Sequence, residues 1–134
     1  MAIIDTSNPI GPIRPWGRYE VLYESETCKV KRIIVKPQQR LSYQYHFKRQ
    51  EAWTIIQGTA TITLNDEIKD YQTGSTALIP LKAKHRVENK DPKKDLIFIE
   101  VQTGSYFGED DIIRIEDDYD RPEKFETPDN TLFL

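Results

Sequence analysis

Apolar residues in this chain fall in short runs that alternate with polar ones and are cut off by turn residues every few positions. The runs are Tyr19–Tyr23, Cys28–Val35, Leu41–Phe47, Ala52–Gln57, Ala60–Leu64, Glu67–Tyr71, Ser75–Ile79, His85–Asn89, Leu96–Gln102 and Ile112–Ile115. Breaks fall at Pro37, Gly58, Asn65-Asp66, Thr73-Gly74, Pro80, Asn89–Pro92 and Gly104, residue types with a physical reason to turn. No stretch sustains the three-and-four spacing of an amphipathic helix, so helix content is low. Evenly spaced short strands of this kind predict an all-β fold, a closed barrel or a sandwich, in which closure removes exposed sheet edges. Ahead of the strands, residues 1–18 carry Pro9, Gly11, Pro12, Pro15 and Gly17 and predict an extended arm anchored by Ile3, Ile4, Ile10, Ile13 and Trp16. Behind them an acidic stretch leads into a tail, residues 121–134, that ends in Leu132, Phe133 and Leu134 and could dock on the barrel or on a partner subunit.

Length and charge narrow the classes of function. The 134 residues fit one domain with a single core. No apolar run is long enough to span a membrane. The first residues, MAIIDTSNPIGPIRPWG, lack the basic head, apolar core and cleavage site of a secretory signal, and the single cysteine, Cys28, has no partner for an internal disulfide; both lead to the expectation of a cytoplasmic protein. A net charge of −3, with the 19 basic residues interleaved among 22 acidic ones, argues against nucleic acid as a partner.

The candidate chemistry sits on the chain's two histidines, His46 and His85. Alternation along Leu41–Phe47 puts Gln44 and His46 on one face, together with Arg40 and Ser42. Glu51 opens the next strand after a short turn and can fold back beside His46; His85 begins the strand that follows Pro80. Two imidazoles, a carboxylate and an amide oxygen make a mixed nitrogen and oxygen set for one divalent ion, with positions left open. Zinc is the first choice, and manganese, iron, cobalt and nickel also suit the set.

The spacing resembles the cupin superfamily, whose double-stranded β-helix (jelly-roll) barrel carries two motifs. Gln44-x-His46, four residues, Glu51, six residues and Gly58 match the first; Gly74, five residues, Pro80, then His85 and Asn89 match the second. Gln38 and Lys82 stand where the motifs have glycine. The stretches RPWGRYE (14–20), VKRIIVKP (30–37), RLSYQYHFKRQEAWTIIQGTA (40–60), STALIPLKAKHRVEN (75–89) and IEVQTGSYFGEDDIIRIEDDYDR (99–121) resemble the type II mannose-6-phosphate isomerase cupin, in many bacteria the C-terminal module behind a guanylyltransferase domain. The chain departs from that family at Lys48 and Ala52, where histidine is common, and at Asp120.

The resemblance implies a metal-dependent isomerase that interconverts mannose 6-phosphate and fructose 6-phosphate. Such chemistry needs a Lewis acid at the first two oxygens, a base to move a proton between the first two carbons, and an anchor for phosphate. Glu100 is the candidate base, a charge amid apolar neighbours on the face it shares with Gln102. Glu51 as ligand and base together, or Lys48 as acid, are alternatives. Arg14, Arg40 and Arg114 are the candidate phosphate anchors, ahead of Arg49, Lys84 and Arg86, and Trp16 and Tyr106 could wall the pocket. Small cupins are commonly dimers, which implies a homodimer. Two other functions stay open at this point: isomerase or epimerase action on another phosphorylated or nucleotide-linked sugar, and sugar binding without catalysis.

Overall fold

The computed structural model describes residues 13–119. Ile3, Ile4 and Ile10 of the expected arm, Asp120 and the 121–134 tail lie outside the described residues. The described residues are nearly all β: β1 (Ile13–Arg14), β2 (Gly17–Glu24), β3 (Cys28–Val35), β4 (Tyr43–Tyr45), β5 (Arg49–Gln57), β6 (Ala60–Leu64), β7 (Glu67–Tyr71), β8 (Thr76–Ile79), β9 (His85–Glu88), β10 (Leu96–Gly104) and β11 (Ile113–Glu116). The one helical turn among them is a 3₁₀ turn at Glu109–Asp111. Among these residues no helix is long and apolar enough to cross a membrane.

The strands form two antiparallel sheets. One has six strands in the order β1-β2-β3-β10-β5-β8, the other five in the order β11-β4-β9-β6-β7. Their facing sides enclose a core of Ile33, Val35, Trp53, Ile55, Ile62, Ala77, Ile79, Val87, Leu96 and Phe98. Alternation explains the membership: in β10, Leu96, Phe98, Glu100 and Gln102 are buried, while Ile97, Ile99 and Val101 lie on the outer face. The β6–β7 hairpin closes through Asn65-Asp66, both at positive φ, the two-residue turn whose twist matches paired strands.

Two boundaries differ from the sequence reading. The arm ends in structure: Ile13 pairs with Arg18 and Arg14 with Gly17, so a short hairpin precedes Tyr19. The third expected strand, Leu41–Phe47, keeps strand pairing only over Tyr43–Tyr45, and β5 starts early at Arg49. The cause lies in where the backbone bonds go. Lys82 N–H donates to the carbonyl of His46, and the N–H groups of Phe47 and Lys48 donate to the Asp111 carboxylate, so this segment is held by a turn and a side chain rather than by a neighbouring strand.

All four glycine positions of the two cupin motifs adopt positive φ. Gly58 and Gly74 do so at 88° and 92°, and Gln38 and Lys82, the two replacements, at 60° and 65°. The turns that the motif glycines serve are therefore kept, with side chains carried in a backbone region that glycine occupies more cheaply.

Candidate metal centre

Each sheet contributes to one cluster between them. His85 opens β9, His46 follows β4 and Glu51 stands in β5, so the five-stranded sheet supplies both imidazoles and the six-stranded sheet the carboxylate. All three are buried, and one ligand atom from each lies within 4.8 Å of the others. His46 Nε2 is 3.2 Å and His85 Nε2 3.9 Å from the Glu51 carboxylate. The rings meet edge to face with centroids 4.8 Å apart.

The tautomers follow from the outer nitrogens. His46 Nδ1 lies 3.1 Å from the Arg49 carbonyl and His85 Nδ1 2.8 Å from the Ala83 carbonyl. A carbonyl only accepts, so each Nδ1 carries a proton and each ring turns its Nε2 toward Glu51. Both Nε2 atoms are buried without a hydrogen-bond partner. Burial, above the other influences on it, pushes the His85 pKa down from 6.5 to about 4, so this ring is neutral at neutral pH. Burial opposes the charge on Glu51, yet the contact with His46 and the Arg49 charge beside it hold it well below the usual carboxylate range. Two imidazole nitrogens and a carboxylate thus converge in a buried space, a donor set that fits a divalent cation. The fixed Nδ1–H bonds are the orienting contacts that metal-ligating histidines use.

A polar layer surrounds the cluster. Trp53 Nε1–H is shared between the Glu51 and Glu100 carboxylates at 3.0 and 3.1 Å, tying the two acids together. Glu100 is buried, and desolvation first, then the Glu51 charge, raises its pKa from 4.5 to about 8. Gln102 Nε2–H donates to its other oxygen. Arg49 is almost fully buried and donates through Nε to Glu51 at 2.9 Å and through Nη1 to the Phe107 carbonyl at 3.3 Å.

A cleft opens beside this layer, lined by Arg14, Trp16, Lys31, Gln44, Arg49 and Glu100 among others. Gln44 is directly opposite His85 in the strand register; its amide oxygen accepts the Ser42 hydroxyl at 2.7 Å and keeps a second lone pair. Arg114 is opposite Gln44 and so shares its face. The other expected residues sit elsewhere. Arg40 is engaged by Asp118 through two bonds of 2.7 and 2.9 Å, outside the cleft. Arg86 pairs with Glu116 at 3.1 Å. Lys48 is exposed in the β4–β5 turn, its ammonium 5.1 Å from the Tyr106 ring centre, and the Tyr106 hydroxyl donates to Asp110.

Sequence reasoning passed over Lys31, Trp53, Glu109 and Asp111, and ranked Arg49 low. Lys31 carried the same signal that singled out Glu100: it shares a strand face with Ile33 and Val35, a charge amid apolar neighbours. Asp111 carried none, because its part is to accept the backbone N–H groups of a turn distant in sequence.

A small two-sheet barrel with two histidines and a glutamate at its centre is a cupin, and solved structures with this fold agree. A double-stranded β-helix protein from Klebsiella pneumoniae superposes with a TM-score of 0.64 over 86% of this chain and 85% of its own, at 22% identity. The capsular polysaccharide assembling protein CapF from Staphylococcus aureus does so with a TM-score of 0.69 over 84% of this chain and 34% of its own, also at 22% identity. The chain belongs to the mannose-6-phosphate isomerase C-terminal family, whose model matches residues 8–117. It is 46% identical over 108 residues to the mannose-1-phosphate guanylyltransferase ManC of Salmonella typhimurium, covering 81% of this chain and 22% of that protein. It is 43% identical over 117 residues to the alginate biosynthesis protein AlgA of Pseudomonas aeruginosa, covering 87% of this chain and 24% of that one. The chain therefore spans under a quarter of the length of these two relatives.

Proposed function

We propose that this barrel is a metal-dependent aldose–ketose isomerase interconverting mannose 6-phosphate and fructose 6-phosphate. The observation that carries the proposal is the pair of orphaned imidazole nitrogens facing Glu51, set beside a second buried acid, Glu100, whose carboxyl burial pushes up to about 8. His46, Glu51 and His85, with Gln44 beside them, would hold one divalent ion. Zinc, manganese, iron, cobalt and nickel all suit two nitrogens and two oxygens. When bound, the ion supplies Lewis acidity toward negative charge developing on the substrate's first two oxygens.

The chain's own residues account for the rest. Glu100 takes the proton from the second carbon of the aldose to give a cis-enediolate and returns it to the first carbon, while the hydroxyl proton passes from the second oxygen to the first, leaving the ketose and an ionised Glu100. A carboxyl with a pKa near working pH can both accept and give that proton. Desolvation is the larger cause of the raised Glu100 pKa and the Glu51 charge the second; a cation held by Glu51 would offset that second part. Trp53, hydrogen-bonded to both acids, fixes their relative placement. Burial of the whole layer keeps bulk water from the enediol. Lys48, exposed against Tyr106, has no place in this scheme.

A coupled assay of fructose 6-phosphate conversion tests the proposal. Turnover that is lost with chelator, restored by a divalent ion and absent in His85→Ala is expected. No turnover in metal-replete protein overturns the isomerase reading, and turnover indifferent to chelation overturns the part given to the ion.

A further inference from the structure

We propose that Lys31 and Arg49 form a built-in anion seat for the phosphate of the substrate, and that Glu109 occupies this seat until the phosphate displaces it. The phosphate as ligand rests on the isomerase reading; the seat rests on geometry alone. Lys31 Nζ lies 3.7 Å from Glu109 Oε2, and Arg49 Nη1 lies 3.5 Å from the same oxygen. Two cations thus converge on one carboxylate oxygen, and neither does so at the 2.7–2.9 Å of a strong charge-assisted bond.

The partners differ in how they are held. The side chains of Lys31 and Arg49 are 4% and 3% exposed, whereas that of Glu109 is 40% exposed. The cations are fixed in the wall: Lys31 stands on β3 directly across from Glu100, and Arg49 is anchored by Glu51 and the Phe107 carbonyl. Glu109 projects from the 3₁₀ turn at the cleft rim and can swing into water by side-chain rotation alone. That turn does not have to move, because Asp111, two residues on, is tied to the β4–β5 backbone.

Charge favours exchange. A buried ammonium is costly unless an anion stays close; besides the field of Glu100 across the strand pair, Lys31 has this loose contact and the Tyr19 ring, 4.2 Å from its nitrogen. Arg14 lines the same cleft, 5.5 Å from the same ring, and adds a third positive charge. A phosphate dianion offers several acceptor oxygens to these groups where Glu109 offers one, so it can satisfy both at shorter range.

Calorimetric titration of the metal-replete full chain with inorganic phosphate reads the seat directly, and the KM for mannose 6-phosphate reads it in turnover. Glu109→Gln should tighten phosphate roughly tenfold, since the competing anion is gone. Lys31→Gln should weaken it tenfold or more, with Lys31→Arg recovering most of the loss and guarding against a merely misfolded Lys31→Gln. His85→Ala, which disables the ion site, should leave phosphate affinity within about twofold, whereas phosphate held on the ion would be lost. Unchanged affinity in both Glu109→Gln and Lys31→Gln overturns the seat. The two proposals fail separately: phosphate binding that follows this pattern without any turnover leaves the seat and removes the isomerase. Turnover with a KM indifferent to Glu109→Gln and Lys31→Arg, and phosphate binding equally indifferent, does the reverse.

Discussion

The barrel interior has two halves, and the same strands build both. Along β10, Leu96 and Phe98 pack in the apolar half, and two residues further on the same face carries Glu100 and Gln102. Along β3 the order is Lys31, then Ile33 and Val35; along β5 it is Glu51, Trp53, then Ile55. Trp53 stands at the junction, its ring against Phe98 on one side and its N–H on two carboxylates on the other. Alternation therefore decides which residues face inward, and position along the strand decides whether inward means core or site. One half gains stability from removing apolar surface from water, while the other spends part of that gain on buried charge.

The largest effects should separate the halves outright. Phe98→Ala is expected to cost about 3–5 kcal/mol of stability, read from urea unfolding, with ion affinity unchanged in the protein that remains folded. His85→Ala is expected to lower turnover roughly a thousandfold while costing the chelated protein less stability than Phe98→Ala, because the orphaned nitrogen is lost along with the ring's packing and its bond to the Ala83 carbonyl. Loss of stability in both variants alike would mean that the two halves are one cooperative unit and that the distinction is false.

Glu100→Gln comes next. It keeps shape and hydrogen bonding, since the buried and unpartnered Gln102 Oε1 can turn to accept from the new amide. Turnover should drop roughly a hundredfold or more, with no more than a small change in ion affinity. In chelated protein the same variant should be the more stable one, and pH gives the sign. The folded-state pKa of Glu100 is raised from 4.5 to about 8, so folding is disfavoured increasingly as pH rises through that window. The advantage of Glu100→Gln should grow from near zero below pH 4.5 to about 1–3 kcal/mol above pH 8.

His85 works in the opposite direction. Its folded-state pKa is depressed from 6.5 to about 4, so the unfolded chain takes up a proton that the folded chain refuses, and stability falls as pH drops from 6.5 toward 4. The advantage of His85→Gln in chelated protein should grow over that acid window, by an amount similar to or below that of Glu100→Gln. The cost of Phe98→Ala should not vary with pH across either window. Urea midpoints measured from pH 4 to 9 test all three together.

The two halves were also unequally legible in the sequence. The apolar half was open to reading, because period-two alternation and turn residues specify strands and faces without reference to anything distant. The cluster of His46, Glu51 and His85 was legible for a related reason: two histidines in the whole chain stood at spacings that strand geometry could bring together. What failed was everything that depends on long-range partners. Arg40 shares the alternation phase of Gln44 and His46, yet it pairs with Asp118 because the strand breaks before it. Lys31 and Glu109 meet only in three dimensions, across seventy-odd residues, and no local pattern announces the encounter.

The smallest expected effect compares the turns that serve each half. Gln38 lies three residues beyond Val35, at the apolar end of β3, and Lys82 lies three residues before His85, at the polar end of the interior. Both hold positive φ, at 60° and 65°, a region that costs a non-glycine residue of the order of 1 kcal/mol. Glycine removes that cost but widens the unfolded ensemble, which takes back roughly half of it. Gln38→Gly and Lys82→Gly should therefore each stabilise by about 0.5 kcal/mol, a shift of a degree or two in Tm that calorimetry can resolve. The backbone bond from Lys82 to the His46 carbonyl does not involve the side chain and survives the change. If Lys82→Gly alters ion affinity while Gln38→Gly does not, the lysine side chain is part of what holds the polar half in place; equal and purely thermal gains assign both turns to the fold and leave the site to the side chains on its strands.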